Sequence, residues 1–204
     1  MVDFHNGTSI LAVGAHPDDA EIGCGYLLWK YQAQPTFVIS LTNGALKGSA
    51  ELRSTETAQA AACLGLTNHA VLPNIPDGEL GNHTSEAIRQ LDQYIELFQP
   101  TLLLSHGPQA RHPDHVAAHQ IALYCTRYVR NVLWFDDLSS IAFNPTVFLP
   151  MPNPYHKMHA VEKHASQGAD IRARVLELGK RHGIAGGYEG FAEGYIPFSL
   201  EITP

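Results

Sequence analysis

Between residues 10 and 135 short apolar runs alternate with stretches of helical period, and no other feature narrows the fold as much. Residues 10–14, 36–41, 69–72, 101–105 and 131–135 read as strands. Residues 21–34, 51–64 (closed by Gly65), 85–98 and 114–130 read as helices, with Pro113 suited to a first turn. Strands joined through crossover helices predict an α/β fold, a mostly parallel sheet with helices on both faces. Beyond residue 136 the pattern is less regular. Asn144-Pro145, the prolines of residues 150–154 and the glycines between Gly183 and Gly194 mark loops. A helix is expected at 171–181 and a late strand at 198–202. The apolar segment 143–151 reads as a core strand rather than a subunit contact, and a homo-oligomer stays open. With no repeat and no linker, residues 1–204 read as a single domain, long enough for one substantial core.

Two of the expected strands lead into clusters of metal-ligand chemistry. The first runs into Ala15-His16-Pro17-Asp18-Asp19, and the fourth is followed by His112-Pro113-Asp114-His115. In an open α/β sheet ligands bind beyond the carboxyl ends of the strands, so the pair suggests a mononuclear metal hydrolase. His16, Asp19 and His115 would supply three protein ligands for Zn2+ and leave a position for water. The same two-histidine, one-carboxylate set also suits Fe2+, though hydrolysis needs no redox change and zinc is the default. Asp18, beside a ligand but free to diverge from it, is the candidate general base. His112 stands one helical turn before His115, a candidate to stabilise an oxyanion or protonate a leaving amine, with Asp114 orienting it. Each cluster alone is also a good helix start, the first capped by Asp18 or Asp19 and the second with His112 or Arg111 near its cap; it is their pairing that favours a metal.

Other histidines carry blander readings: His119 as a packing or supporting residue, and His156, His159 and His164 as surface or loop residues. There is no Walker lysine motif, no Gly-x-Ser-x-Gly elbow and no His-Glu-x-x-His helix. Gly23-Cys24-Gly25 lacks the third glycine of a dinucleotide fingerprint and more simply lets the first helix approach the sheet. A net charge of −7 without a basic run argues against nucleic acid or an anionic membrane as partner. No apolar run approaches the ~18 residues of a membrane span. Cys24, Cys63 and Cys125 are isolated on expected helices and read as small buried hydrophobes in a reducing compartment. Met1-Val2-Asp3-Phe4-His5 lacks a signal peptide's basic flank, so the expected location is the cytoplasm.

Taken together, residues 15–25 with His112-Pro113-Asp114-His115 resemble the zinc-dependent N-acetylglucosaminyl deacetylases, the PIG-L or LmbE-like family. Leu41-Thr42-Asn43-Gly44, Arg53-x-x-Glu56, Pro76-Asp77-Gly78, Ser166-Gln167 and Ala192-Glu193-Gly194-Tyr195 extend the likeness. The resemblance implies a Rossmann-like sheet and a small-molecule partner, an N-acetylated amino sugar hydrolysed to acetate and a free amine. It implies Zn2+ on His16, Asp19 and His115, with Asp18 as general base. His112 becomes the acid or oxyanion stabiliser, supported by Asp114, and Arg53 and Asp77 match positions that face the substrate. A metal hydrolase of another amide, ester or conjugate bond, and a catalytically silent sugar-binding protein, are the competing readings. Two departures leave the sugar open. Ala45 stands where many members are acidic, and Tyr26 replaces a second glycine.

Overall fold

The computed structural model describes residues 7–200. The elements run β1 (Ile10–Gly14), α1 (Asp19–Lys30), β2 (Thr36–Ser40), α2 (Ala50–Cys63), β3 (His69–Val71), α3 (Thr84–Phe98), β4 (Leu102–His106) and α4 (Pro113–Cys125). There follow β5 (Asn131–Phe135), β6 (Val147–Met151), α5 (Tyr155–Val161), α6 (Ile171–Ala185) and β7 (Phe191–Ser199). They build one seven-stranded sheet in the order β3-β2-β1-β4-β5-β7-β6. The first five strands of that order are parallel; β7 joins β5 antiparallel and β6 joins β7 antiparallel.

Every residue of β1 is buried because both faces of the sheet are covered. Ile10 and Ala12 enter one apolar layer with Leu27, Leu28, Ala61 and Ala160, from α1, α2 and α5. Leu11 and Val13 enter the opposite layer with Leu91, Ile95, Ile121 and Ala122, from α3 and α4. The period of two in the strand thus feeds two cores, which is why it reads as an unbroken apolar run. Between β1 and β4 the chain reverses its direction of winding: β1 leads outward to β2 and β3, β4 to β5. Such a switch point opens a crevice at the strands' carboxyl ends. The register sets Gly14 level with Ser40 and Val13 level with Ser105, so the loops after β1, β2 and β4 meet there.

Several boundaries differ from expectation. α1 begins at Asp19 and ends at Lys30, and α4 ends at Cys125 rather than 130. The late strand begins at Phe191, and residues 201 and 202 of the expected strand lie outside the described residues. The glycines from 183 to 194 do not all mark loops. Gly183 lies inside α6, where a Cβ would collide with the Gly190 backbone, and Gly194 inside β7, where one would meet Pro145 and His182. Glycine there serves close approach rather than chain reversal. The expected core strand within 143–151 is β6, an edge strand carrying Pro150. Among the described residues no helix is long and apolar enough to cross a membrane.

Candidate metal centre

β1 turns directly into α1, and the turn is tight: a Cβ at Gly14 would lie 2.7 Å from the Asp19 Cβ. The His16 backbone N–H donates to Asp19 Oδ2 at 2.7 Å, which folds the loop onto the helix start. Asp18 and Asp19 then diverge. Asp18 accepts from Arg53 Nη2 at 3.1 Å, whereas Asp19 turns toward His115 and the end of β4.

Arg53, on α2, is wholly buried rather than a free surface cation. Its Nη2 also donates to the Pro17 carbonyl at 2.9 Å, and its Nη1 to Glu56 and Ser166 at 3.0 Å each. Ser166 donates both its backbone N–H and its hydroxyl to Glu56. The scattered motifs Arg53-x-x-Glu56 and Ser166-Gln167 therefore belong to one network that holds Asp18.

α4 brings the second cluster. His112 caps it, with Nδ1 accepting the Asp114 N–H at 3.3 Å and Pro113 in the first turn. One turn on, His115 Nε2 lies 3.1 Å from His16 Nδ1 and 3.4 Å from Asp19 Oδ1, and Asp19 Oδ2 lies 3.5 Å from His16 Nδ1. Donors about 2.1 Å from a tetrahedral cation are separated by about 3.4 Å, and these spacings are close to that, with Asp19 meeting each histidine through a different oxygen.

The Asp114 carboxylate sits elsewhere than the sequence suggests. It faces His16 Nε2 at 3.2 Å and accepts the Gly78 and Leu80 N–H groups at 2.7 and 3.1 Å, so it orients His16 and not His112. At the first turn of α4 the Asp114 side chain is rotated inward; only its N–H meets His112. Asp77 joins it, with Oδ1 3.0 Å from His16 Nε2 and Oδ2 accepting the Leu46 N–H.

Sequence reasoning missed two residues. His106, the last residue of β4, is completely buried and places Nδ1 2.7 Å from Asp137 Oδ2 and Nε2 3.1 Å from Asp19 Oδ2. Asp137, just after β5, also lies 3.0 Å from His115 Nδ1, and its Oδ1 accepts from Ser139 and Ser140. The strand-end rule that singled out His16 applies equally to both. His119 donates to the His106 carbonyl at 2.9 Å and packs edge-on against Trp134, a supporting position. His164 is a correction. It is fully buried, 3.7 Å from Glu21, because the turn that delivers Ser166 to Glu56 tucks it inside; His156 and His159 ride on α5.

Three groupings of these side chains could hold a cation: His16, His112 and His115; Asp19, His106 and His115; and His16, Asp77 and Asp114. The surroundings call for positive charge. Burial alone would depress His16, yet the hydrogen bonds its protonated ring donates to Asp114, Asp19 and Asp77 overcome it and push the ring up to about 12. Burial also opposes ionisation of Asp19, but the neighbouring His115 and His106 hold its carboxyl well below the usual range. A cation at the His16 Nδ1 side would meet the same demand as a proton. Asp18 moves the other way: burial and the adjacent Asp19 raise it, against the pull of Arg53. His112 is pushed down by burial and by the nearby imidazoles. The groups line a cleft of about 240 Å³, walled further by Ile22, Leu46, Leu138 and Ile171.

The chain is 28% identical to YaiS of Escherichia coli (strain K12), described as an uncharacterized deacetylase, over 77% of this chain and 90% of that one. The N,N'-diacetylchitobiose deacetylase of Pyrococcus horikoshii shares its fold, with a TM-score of 0.83, 20% identity and coverage of 98% of this chain and 88% of that one. So does a 4-carboxy-2-hydroxymuconate hydratase, GalB, of Pseudomonas putida KT2440. There the TM-score is 0.78 and the identity 18%, with 97% of this chain and 98% of that one covered. One fold thus carries more than one chemistry, and the family is decided by sequence. The model of the PIG-L family, GlcNAc-PI de-N-acetylase, matches residues 11–126, more than half of the chain and both clusters, and the chain belongs to that family.

Proposed function

We propose that this chain is a divalent-metal-dependent hydrolase that removes the N-acetyl group from an amino sugar, free or conjugated. One observation carries the reading. His16 Nδ1, Asp19 and His115 Nε2 converge within 3.1–3.5 Å, and Asp18, held by Arg53, lies beside them in the same cleft. These three are the ligands we assign. The set combines His16 and His115 of the first grouping with Asp19 of the second; Asp114 already accepts two backbone N–H groups, His106 lies behind Asp19, and the His112 Nε2 is kept for the oxyanion.

A bound cation, Zn2+ by default and Fe2+ as the alternative, would polarise the acetyl carbonyl and lower the pKa of a water from about 15.7 toward roughly 7. Asp18 takes the proton of the attacking water; its raised pKa suits a base that works nearer neutrality. The His112 Nδ1 accepts a backbone N–H, so the neutral ring keeps its proton on Nε2. We assign that N–H to the developing oxyanion, as a neutral donor rather than an imidazolium. Asp18 then returns its proton to the leaving nitrogen as the C–N bond breaks, giving acetate and a free amine. Arg53 keeps Asp18 aimed, and Asp77 and Asp114 fix the His16 ring. The setting we expect is the cytoplasm.

Acetate and amine release should be scored on N-acetyl sugars, non-sugar acetamides and acetate esters, with zinc, with iron and with chelator. Turnover of the sugar amides, lost with chelator, is the expected result. Asp18→Asn should keep its metal and lose about 10²–10⁴-fold in turnover, the typical range for a positioned base. Turnover of esters or non-sugar amides alone would overturn the substrate class, and near wild-type activity in Asp18→Asn would overturn the base.

A further inference from the structure

The charges lining the cleft separate into those with partners and those without. Asp18 is paired with Arg53, and Asp19, Asp77 and Asp137 each face a histidine. Lys47 and Arg174 also line the cleft and are exposed, yet the side chain of neither makes a hydrogen bond or an ion pair among the described residues. Arg172, two residues before Arg174, contrasts with it by pairing with Glu162. So the unpaired formal charges of the cleft lining are positive, in a chain whose net charge is −7.

The two cations belong to segments that meet. Lys47 ends the turn of residues 45–47 after β2, and a Cβ on the adjoining Gly48 would lie 3.6 Å from the Ser166 Cβ. Gln167 and Ile171, which lead to Arg174, line the same cleft. Deeper in that wall, the Nε of the buried Arg53 is a donor with no acceptor. A buried guanidinium N–H left unpaired costs stability unless something else completes it. Leu46, Ile22, Leu138 and Ile171 are apolar parts of the wall, and the carboxylates of the lining are engaged by Arg53 or by histidines.

Resting on the reading above, we infer that the substrate is an N-acetylated amino sugar bearing an anionic group, a phosphate or a carboxylate, and that Lys47 and Arg174 select it. The acetamide lies at the histidine cluster, and the anion lies at the mouth between the turn after β2 and the start of α6. Exposed cations contribute through long-range attraction, which salt weakens, so they act on capture more than on turnover.

The test compares kcat/KM for N-acetylglucosamine with that for its 1-phosphate, its 6-phosphate and a glycoside carrying a carboxylate, at low and at high salt. At least one anionic substrate should exceed the neutral sugar by tenfold or more, mostly in KM, with the margin shrinking in high salt. Whether a phosphate or the carboxylate wins identifies the anion. In Lys47→Ala/Arg174→Ala the anionic-to-neutral ratio should fall toward one, and in Lys47→Glu it should fall further; Lys47→Arg should largely keep it. Equal efficiency on all four substrates, or a ratio unmoved by the double variant, overturns this inference and leaves the deacetylase reading standing. No acetate from any of them overturns both.

Discussion

At His106 one imidazole touches two parts of the centre at once, Asp19 through Nε2 and Asp137 through Nδ1, while Asp137 reaches on to His115. Two of the three assigned ligands are therefore oriented by one buried pair, and the third, His16, by Asp77 and Asp114. Residues that fix the far side of a ligand commonly change metal affinity 10–100-fold. His106→Asn and Asp137→Asn should each weaken zinc binding by about that factor, read by competition with a chromogenic chelator at fixed pH. Unchanged affinity in both would show that the pair only fills space. The contrast with His16 and His115 explains what the sequence displays. Those histidines stand beside carboxylates in compact clusters, a pattern visible in one dimension. His106 and Asp137 are single residues at the ends of different strands, and only the register of β4 against β5, which sets His106 level with Phe135, brings them together.

The element most distinctive of this chain is α1, whose helical path breaks at Cys24 with φ −138°. The break releases the Tyr26 and Leu27 N–H groups, which donate to the two Glu193 oxygens at 2.7 and 2.8 Å. Glu193, on β7, also accepts from Lys157 Nζ on α5 and from the Tyr195 hydroxyl, at 2.7 Å each. A carboxylate so used caps the second half of α1 from inside the molecule. Upstream of the break, Gly23 lets the helix rest on Phe135, whose ring a Cβ would strike. Removing one partner from a buried ion pair costs about 3–5 kcal/mol. Glu193→Ala should lower urea-unfolding stability by about that much, and Lys157→Met/Glu193→Gln by less than the sum of its single variants. Additive losses would mean that the pair is not coupled. Helix periodicity predicted α1 through its apolar residues, but the break could not be anticipated because its cause lies far along the chain. The short α5 was hidden among prolines and histidines for the same reason: its buried residues pack on α1 and α2 and make no long repeat.

Across the whole molecule, titration should reveal how the centre is wired. Asp137, Asp114 and Glu56 are held below the ordinary carboxylate range: burial opposes this, but hydrogen bonds to histidines, backbone or Ser166, with nearby cations, prevail. Such groups contribute stability above their unfolded pKa near 4 and lose it as pH falls through the folded value. His106 is pushed up to about 9, burial again opposing, by the charge of Asp19 and the bond to Asp137. A raised histidine contributes fully below its unfolded value of about 6.5 and loses its contribution as pH rises through the folded one. Protein stripped of metal should therefore show its highest thermal midpoint between about pH 5 and 6.5, with a decline that runs from there up to the His106 value of about 9. His106→Asn should soften that decline, to which the raised His16 also contributes, and Asp137→Asn should soften the acid one. A midpoint flat from pH 7 to 10 would contradict the assignment. The parallel half of the sheet was legible because its strands and crossovers follow one another along the chain. β6 was expected as a strand, but its antiparallel pairing with β7 was not: β7 reaches it from the far side of α6, and its Gly194 serves close packing.

The carboxylate of Glu193 also fixes an order of events in biosynthesis. Every side chain assigned to the metal lies at or before residue 115, so the full ligand set is synthesised well before Glu193. The half of α1 beyond Cys24 gains the acceptor for its Tyr26 and Leu27 N–H groups only when residue 193 arrives. A chain halted before β7 would carry all three assigned ligands with the Tyr26 and Leu27 N–H groups of α1 still without their acceptor.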